Sequence, residues 1–305
     1  MEETKLAIII PAFKGNFLEK TLISIDNQTC KKFNLYIGDD ASPEDLYNIV
    51  KKFISRINIY FIRFDENLGG KSLTKQWERC INLSLKEQYI WLFSDDDEMP
   101  NDAVERFYKI TEKGSFFDIY RFNIQFIDEK DRIIRVECNN PYVESSKEFI
   151  KRRLTFSTLS AACEYIFSRV TYISNNGFVE FPLAWCSDDA TWAKFGKEKG
   201  ICTIFGDPIK MRMVKGYNIS SIQSNNITKF KAIIAFLFWL KKENDFKVEN
   251  IYLIKYLISQ IRELSIKLHI RIIYLISILK LIGFISTIAV VINRAKTYKL
   301  LIKNV

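Results

Sequence analysis

The chain has 305 residues, 48% hydrophobic and 27% charged, enough to bury a large core and leave room for an appendage beside one main domain. Its net charge of +9 is unevenly spread: residues 1–228 mix both signs, whereas 229–305 interleave Lys and Arg with Ile and Leu, a pattern that suits a membrane surface better than nucleic acid. Six cysteines without a CxxC pair and a single histidine, His269, exclude a zinc cluster, a disulfide framework and His-dependent triads.

In chain order, Lys5 to Ile10 is a β-rich run stopped by Pro11, and Phe17 to Asn27 carries Leu18, Leu22 and Ile25 at helical spacing. Asn34 to Ile37 reads as strand, Pro43 to Ile54 as helix, Ile57 to Phe64 as strand, Lys71 to Leu85 as helix and Tyr89 to Phe93 as strand. Such alternation with short connections predicts βαβ units and a mostly parallel sheet, whose ligands bind at the carboxyl ends of the strands. Polar residues gather at those ends: Asp39-Asp40-Ala41-Ser42, Asp65-Glu66-Asn67-Leu68-Gly69-Gly70, and Asp95-Asp96-Asp97. Three adjacent carboxylates after a buried strand repel one another and suit a hard divalent cation shared with phosphates. Each cluster taken alone also reads as a turn or as helix-capping residues.

Farther on, Phe117 to Ile127 and Ile133 to Cys138 suggest an antiparallel hairpin, Glu164 to Ser168 a strand, and a helix follows near Val170. An aromatic-rich segment from Gly177 ends in Asp188 and Asp189, at the start of an apparent helix reaching Glu198. Ser187 with these two acids is also what an ordinary helix N-terminus requires.

Taken together, Ile8-Ile9-Ile10-Pro11-Ala12-Phe13, Asn27-Gln28-Thr29, Asp39-Asp40-Ala41-Ser42, Asn67-Leu68-Gly69, Ser94 to Asp97 and Gly177 through Asp189 resemble, in order, the motifs of the inverting glycosyltransferases of family 2. The resemblance covers about residues 4 to 215 and implies an α/β, Rossmann-like GT-A fold: a mostly parallel mixed sheet flanked by helices. It also implies roles. Pro11, Ala12 and Phe13 would approach the base of a nucleotide-sugar donor, Asp39 and Asp40 its uracil and ribose, and Asn67, Gly69 and Lys71 the donor near its diphosphate. Asp95 and Asp96 would face the nucleotide, with Asp96 and Asp97 toward a divalent Mn²⁺ or Mg²⁺. Asp189 would be the catalytic base, with Asp188 replacing the family's usual Glu, and Phe178 and Trp185 would stack on an acceptor sugar. The implied chemistry is single displacement with inversion: a carboxylate removes the acceptor proton while the metal neutralises the leaving diphosphate.

From Lys229 the chain turns helical, with Lys255, Arg262, Lys267, Arg271 and Lys280 recurring beside a broad aliphatic face through Ile251 to Leu281. This predicts a 1–228 catalytic domain and a 229–305 basic amphipathic region lying on the inner membrane surface, with packing on the catalytic domain or on a second copy as the alternative. Leu281 to Ile292 offers 12 uncharged positions, short of the ~20 a span needs. Extension back to Ile272 takes in Lys280 and leaves a single span open. Arg294, Lys296, Lys299 and Lys303 would meet anionic lipid. A short charged lead without a signal peptide places the expected enzyme in the cytoplasm, on the membrane's cytoplasmic face, near a glycan or lipid-linked oligosaccharide acceptor for surface polysaccharide. The oligomeric state is not legible.

Two other readings stay open. A sugar-phosphate nucleotidyltransferase would carry a Gly-rich basic loop after the first strand, and Pro11 to Asn16 lacks it. A non-catalytic membrane-associated scaffold is disfavoured by the intact acids. No nucleic-acid recognition motif is present.

Overall fold

The computed structural model describes residues 5–84, 86–112, 114, 117–137, 140–218 and 221–266. Strand β1 (Leu6–Ala12) is covered on both faces, which is why it reads as an unbroken apolar run. It lies between β2 (Phe33–Asp39) and β4 (Tyr89–Leu92), parallel to both, and β3 (Ile59–Arg63) extends the parallel half beyond β2.

The second half is mixed. β8 (Tyr165–Ser168) runs antiparallel to β4, β5 (Ile119–Ile127) antiparallel to β8, and β9 (Ile201–Arg212) parallel to β5. β7 (Val143–Glu144) closes that edge, and β6 (Ile133–Glu137) forms the predicted hairpin with β5. The order is β3-β2-β1-β4-β8-β5-β9-β7. It is the expected mixed sheet, parallel where βαβ units build it.

Strand alternation separates two cores. Leu6, Ile8, Ile10 and Trp91 face α1 (Leu18–Asp26), α2 (Leu46–Val50) and α4 (Ala103–Glu112). Ala7, Ile9, Ile90 and Leu92 face α3 (Leu73–Ile81), α5 (Ser146–Leu154) and α7 (Ser187–Phe195), with the short α6 (Arg169–Ser174) nearby. Trp91 is fully buried, stacks on Phe122 at 5.0 Å and donates its indole N–H to the Cys163 carbonyl at 2.7 Å. Burying such a ring contributes about 2–3 kcal/mol.

Three differences from expectation have local causes. The predicted Pro43 to Ile54 helix shortens to α2, capped by Asp45, because the following turns fold Phe53 and Ile57 into the core. α5 went unpredicted although Ser145-Ser146-Lys147-Glu148 has capping-box spacing, and the Ser145 side chain accepts from the Glu148 N–H. The boundary at 228 is not a structural break. α8 (Asn226–Lys242) and α9 (Asn250–Glu263) send Phe230, Ile233, Phe236, Leu253 and Leu257 into the same core as α3 and α7, so part of the predicted amphipathic face covers protein. No helix among the described residues is long and apolar enough to cross a membrane. The rest of the predicted basic tail, the Leu281 to Ile292 run, His269 and Cys138 lie outside the described residues.

Candidate active site

The carboxyl ends of β1, β2 and β4 meet through hydrogen bonds that join motifs far apart in sequence. The Phe13 and Lys14 amides donate to Asp95 Oδ2 at 2.8 and 3.0 Å, and the Ser42 hydroxyl donates to the Phe13 carbonyl at 2.8 Å. Pro11 and Phe13 keep partial exposure beside Asp95, whereas Ala12 is buried.

Asp39 and Asp40, expected at the uracil and ribose, are held by partners within the chain. Both are buried, and their oxygens are engaged by the protein. Asp39 accepts from the Ser42 amide at 2.8 Å and from Arg63 Nη1 at 2.7 Å. Asp40 accepts from the Leu68 and Gly69 amides at 2.7 and 2.8 Å and from Arg79. A Cβ at Gly69 would stand 2.7 Å from Asp40 Oδ2, so glycine is needed for this approach. The pair therefore shapes the pocket wall by fixing the Asn67 to Gly69 loop. Asn67 likewise turns inward to its own loop, accepting from the Gly70 amide. Lys71 pairs with exposed Glu66 at 2.6 Å.

The triplet divides its work. Asp97, expected on the metal side, is 2% exposed and accepts from the Arg212 amide at 2.8 Å, so it is the most deeply set of the three. Asp95 and Asp96 lie nearer the opening. Asp95 spends Oδ2 on the Phe13 and Lys14 amides just after β1, and Asp96 spends Oδ2 on Asn218 at 3.1 Å. Burial, then the charges of Asp97 and Asp95, pushes Asp96 well above the usual carboxylate range. Part of the neutralisation comes from Arg212, which is fully buried and donates to the Asp96 carbonyl, Glu98, the Asp128 carbonyl and Asp131. Lys14 stands beside the cluster, 3.8 Å from the Tyr217 ring centroid.

No group of three or more His, Cys, Asp or Glu among the described residues could hold a metal alone. Asp95 and Asp96 nevertheless fit a hard cation completed by phosphate oxygens, since Mg²⁺ and Mn²⁺ take one or two carboxylates in such sites.

Residues 177–186 form the segment that leads into α7. Leu183, Ala184 and Cys186 all have positive φ, a strained conformation for residues with a Cβ that is typical of functional loops. Phe178 corrects another expectation. It is buried, its ring packed by Trp77 at 5.3 Å and Tyr172 at 5.7 Å, so it is a core residue with no face for a sugar. Trp185 is partly exposed, with Lys229 Nζ 5.1 Å over its ring. Ser72 donates to Glu180 at 2.6 Å, tying the start of α3 to this loop across a 360 Å³ cavity lined by Lys71, Leu73, Phe181 and Leu183.

The first turn of α7 carries Asp188 and Asp189. Asp189 is buried and ion-paired to Arg153 through both oxygens, whereas Asp188 is half-buried. Burial and the charge of Asp189 push Asp188 up to about 7. Sequence reasoning missed Arg153, Arg212, Asn218 and Glu180. Only the α5 capping box hinted at where Arg153 would lie; the others are placed by long-range packing.

Comparison with known proteins agrees with this architecture. The family model described as Glycosyl transferase family 2 matches residues 7–171, more than half of the chain. An uncharacterized glycosyltransferase of Methanocaldococcus jannaschii is 26% identical over 162 residues, covering 51% of this chain and 54% of that protein. Chondroitin synthase of Pasteurella multocida is 29% identical over 108 residues, 32% of this chain and 11% of the synthase. The chain thus spans about half the length of the first relative and a small part of the second. Among solved structures, S. aureus TarS residues 1–349 in complex with UDP-GlcNAc superposes with a TM-score of 0.64 at 15% identity, covering 91% of this chain and 79% of that one. The mannosyltransferase PcManGT from Pyrobaculum calidifontis, in complex with GDP-Man and Mn²⁺, gives 0.53 at 11% identity, covering 86% and 75%. At these identities the structural likeness is one of fold.

Proposed function

The chain belongs to glycosyl transferase family 2, and from that premise we propose that it moves a sugar from a uridine diphosphate donor to a glycan or lipid-linked acceptor, with inversion, in surface polysaccharide assembly. The observation that carries this reading is that residues 163–164 bring two acidic groups together: Cys163 lies beside Asp97 at the end of the parallel strands, and Glu164 lies within reach of the charge of Arg153, the ion-pair partner of Asp189 at the start of α7. Relatives support it, one solved with UDP-GlcNAc and another with GDP-Man and Mn²⁺.

In this mechanism Pro11 and Phe13 line the nucleotide side, while Asp39 and Asp40 hold the surrounding loops in shape. Asp95 and Asp96 would hold Mn²⁺ or Mg²⁺, which when bound supplies charge neutralisation for the leaving diphosphate. The acidic pair on α7 receives the acceptor proton, and Trp185 offers an aromatic surface to an acceptor sugar. A single base and one displacement lead to inversion. Attachment to the cytoplasmic face of the membrane, through the basic residues beyond 266, would bring the cleft to a lipid-linked acceptor.

The decisive experiment is a thermal-shift screen of the detergent-purified chain against UDP and GDP with and without Mn²⁺, followed by diphosphate release from a panel of UDP-sugars. A metal-dependent UDP shift with turnover is expected. Stabilisation by no nucleotide would sink the transferase reading in favour of a scaffold. Flotation with anionic vesicles tests the location: the full chain is expected to float and a chain ending at residue 266 to remain in solution. Equal flotation of both would reject attachment through the tail.

A further inference from the structure

The two carboxylates of the α7 first turn have unlike surroundings. Arg153 reaches Asp189 through both arms, Nε to Oδ1 at 2.7 Å and Nη2 to Oδ2 at 2.8 Å, and spends Nη1 on the Thr158 carbonyl at 2.8 Å. All three nitrogens of its guanidinium are thereby engaged, and only 17% of the side chain is exposed. Asp188 is half-buried and is met by the backbone N–H groups of its own helix turn.

We propose that Arg153 is the positioning residue of this pair and that Asp188, rather than Asp189, takes the acceptor proton. This rests on the transfer reaction proposed above. Protonating Asp189 would leave a buried guanidinium facing a neutral acid and weaken two charge-assisted hydrogen bonds, whereas protonating Asp188 disturbs neither.

The charges on neighbouring elements support the division. Burial and Asp189 raise Asp188 to about 7, while Arg153 from α5 pulls the other way. A base in that range is ionised near neutral pH and still accepts a proton effectively. Cys186 on the preceding loop, Tyr256 on α9 and Tyr165 on β8 are held in their neutral forms by burial, and Glu164, which feels the charge of Arg153, is pushed up to about 8 by burial. Burial works against the Arg153 charge, but Asp189 overrides it and holds the guanidinium more firmly protonated than usual.

The step balances. The acceptor O–H proton passes to the Asp188 carboxylate as the oxygen bonds to the anomeric carbon. The bond from that carbon to the diphosphate oxygen breaks, and its electron pair leaves with the nucleoside diphosphate. Asp188 then returns the proton to solvent.

The test combines carboxyl-carbon NMR titration of the aspartate-labelled full chain with kcat for UDP release from a UDP-sugar and with UDP affinity. Asp188→Asn is expected to lower kcat about a thousandfold and leave UDP affinity unchanged. Asp189→Asn should move the Asp188 titration and the acid limb of kcat to lower pH, Arg153→Gln should move both to higher pH, and Arg153→Lys should restore them. Formate should rescue Asp188→Ala and leave Asp189→Ala unrescued, a comparison that stands even if an Asn variant folds badly. The assignment is overturned if Asp189→Asn abolishes turnover while Asp188→Asn keeps more than about a tenth of it, or if the two shifts run in the same direction. The titration needs no substrate. Failure of the transfer reading would show as absent turnover with opposite shifts intact, and failure of the Arg153 assignment as turnover without them.

Discussion

At the carboxyl edge of β1, β2 and β4, carboxylates are engaged by backbone amides and arginines, whereas residues 177–186 take shape through three non-glycine residues at positive φ and a hydrogen bond from Ser72 to Glu180. The side proposed for the donor is a set of loops pinned by short polar bonds, and the segment proposed to meet the acceptor is a strained arch resting on aromatic core. Rigidity on the donor side suits a nucleotide that must be held in one pose. Stored strain on the other side suits a wall that adjusts to an acceptor.

That contrast can be tested at four places. Asp96→Asn should reduce turnover by about a thousandfold or more and erase the Mn²⁺-dependent part of the UDP thermal shift. An unchanged metal-dependent shift would move the metal role to Asp95 alone. Arg212→Leu leaves Glu98 and Asp131 without their buried partner and should cost about 3–5 kcal/mol, measured by denaturant unfolding.

Glu164 tests the ground beneath the acceptor wall. It is 1% exposed, and neither carboxylate oxygen is hydrogen-bonded among the described residues. Burial pushes it up to about 8, against the pull of Arg121. Because its folded value is raised, the native state binds more protons than the unfolded one, and stability should fall as pH rises from about 4.5 toward about 8. Glu164→Gln should remove that slope, gaining about 3 kcal/mol at pH ~8 and little at pH ~4, read from melting curves across pH.

The smallest effect sharpens the contrast most directly. Ala184→Gly, at φ 53°, should change stability by less than about 0.5 kcal/mol because relieved strain offsets the added chain entropy, whereas Ala12→Gly in β1 should lose about 1 kcal/mol. Equal losses would mean the arch is unstrained.

The same contrast explains what could be read from sequence. β1, β2 and β4 are legible because each is a buried apolar run ended by turn chemistry, β3 because its half-exposed edge still carries β-branched and aromatic residues, and the acids beyond β4 stand out because like charges crowd there. The inward turning of Asp39, Asp40 and Asp97 is not legible, since it depends on Arg63, Arg79 and Arg212 arriving from other elements. Phe178 reads alike as platform or core until Trp77 and Tyr172 are seen to cover it. β9 escapes the strand pattern because Phe205-Gly206-Asp207-Pro208 interrupts its alternation, with Gly206 at φ 127°. Arg153 sits in an unremarkable Lys-Arg-Arg run, and only packing brings it to Asp189.

Arg212 has a reach beyond the cleft. One guanidinium joins the Asp96 carbonyl and the Glu98 carboxylate to the tight turn between β5 and β6, where it meets the Asp128 carbonyl and the Asp131 carboxylate. The same Asp131 reaches Lys20 on α1 at 2.6 Å. An exposed hairpin turn is thus wired electrically to the acid triplet, and a charge gained or lost there alters how much positive charge the triplet still demands. Drift in surface residues of that turn can therefore retune the charge balance of the triplet while Asp95, Asp96 and Asp97 themselves stay the same.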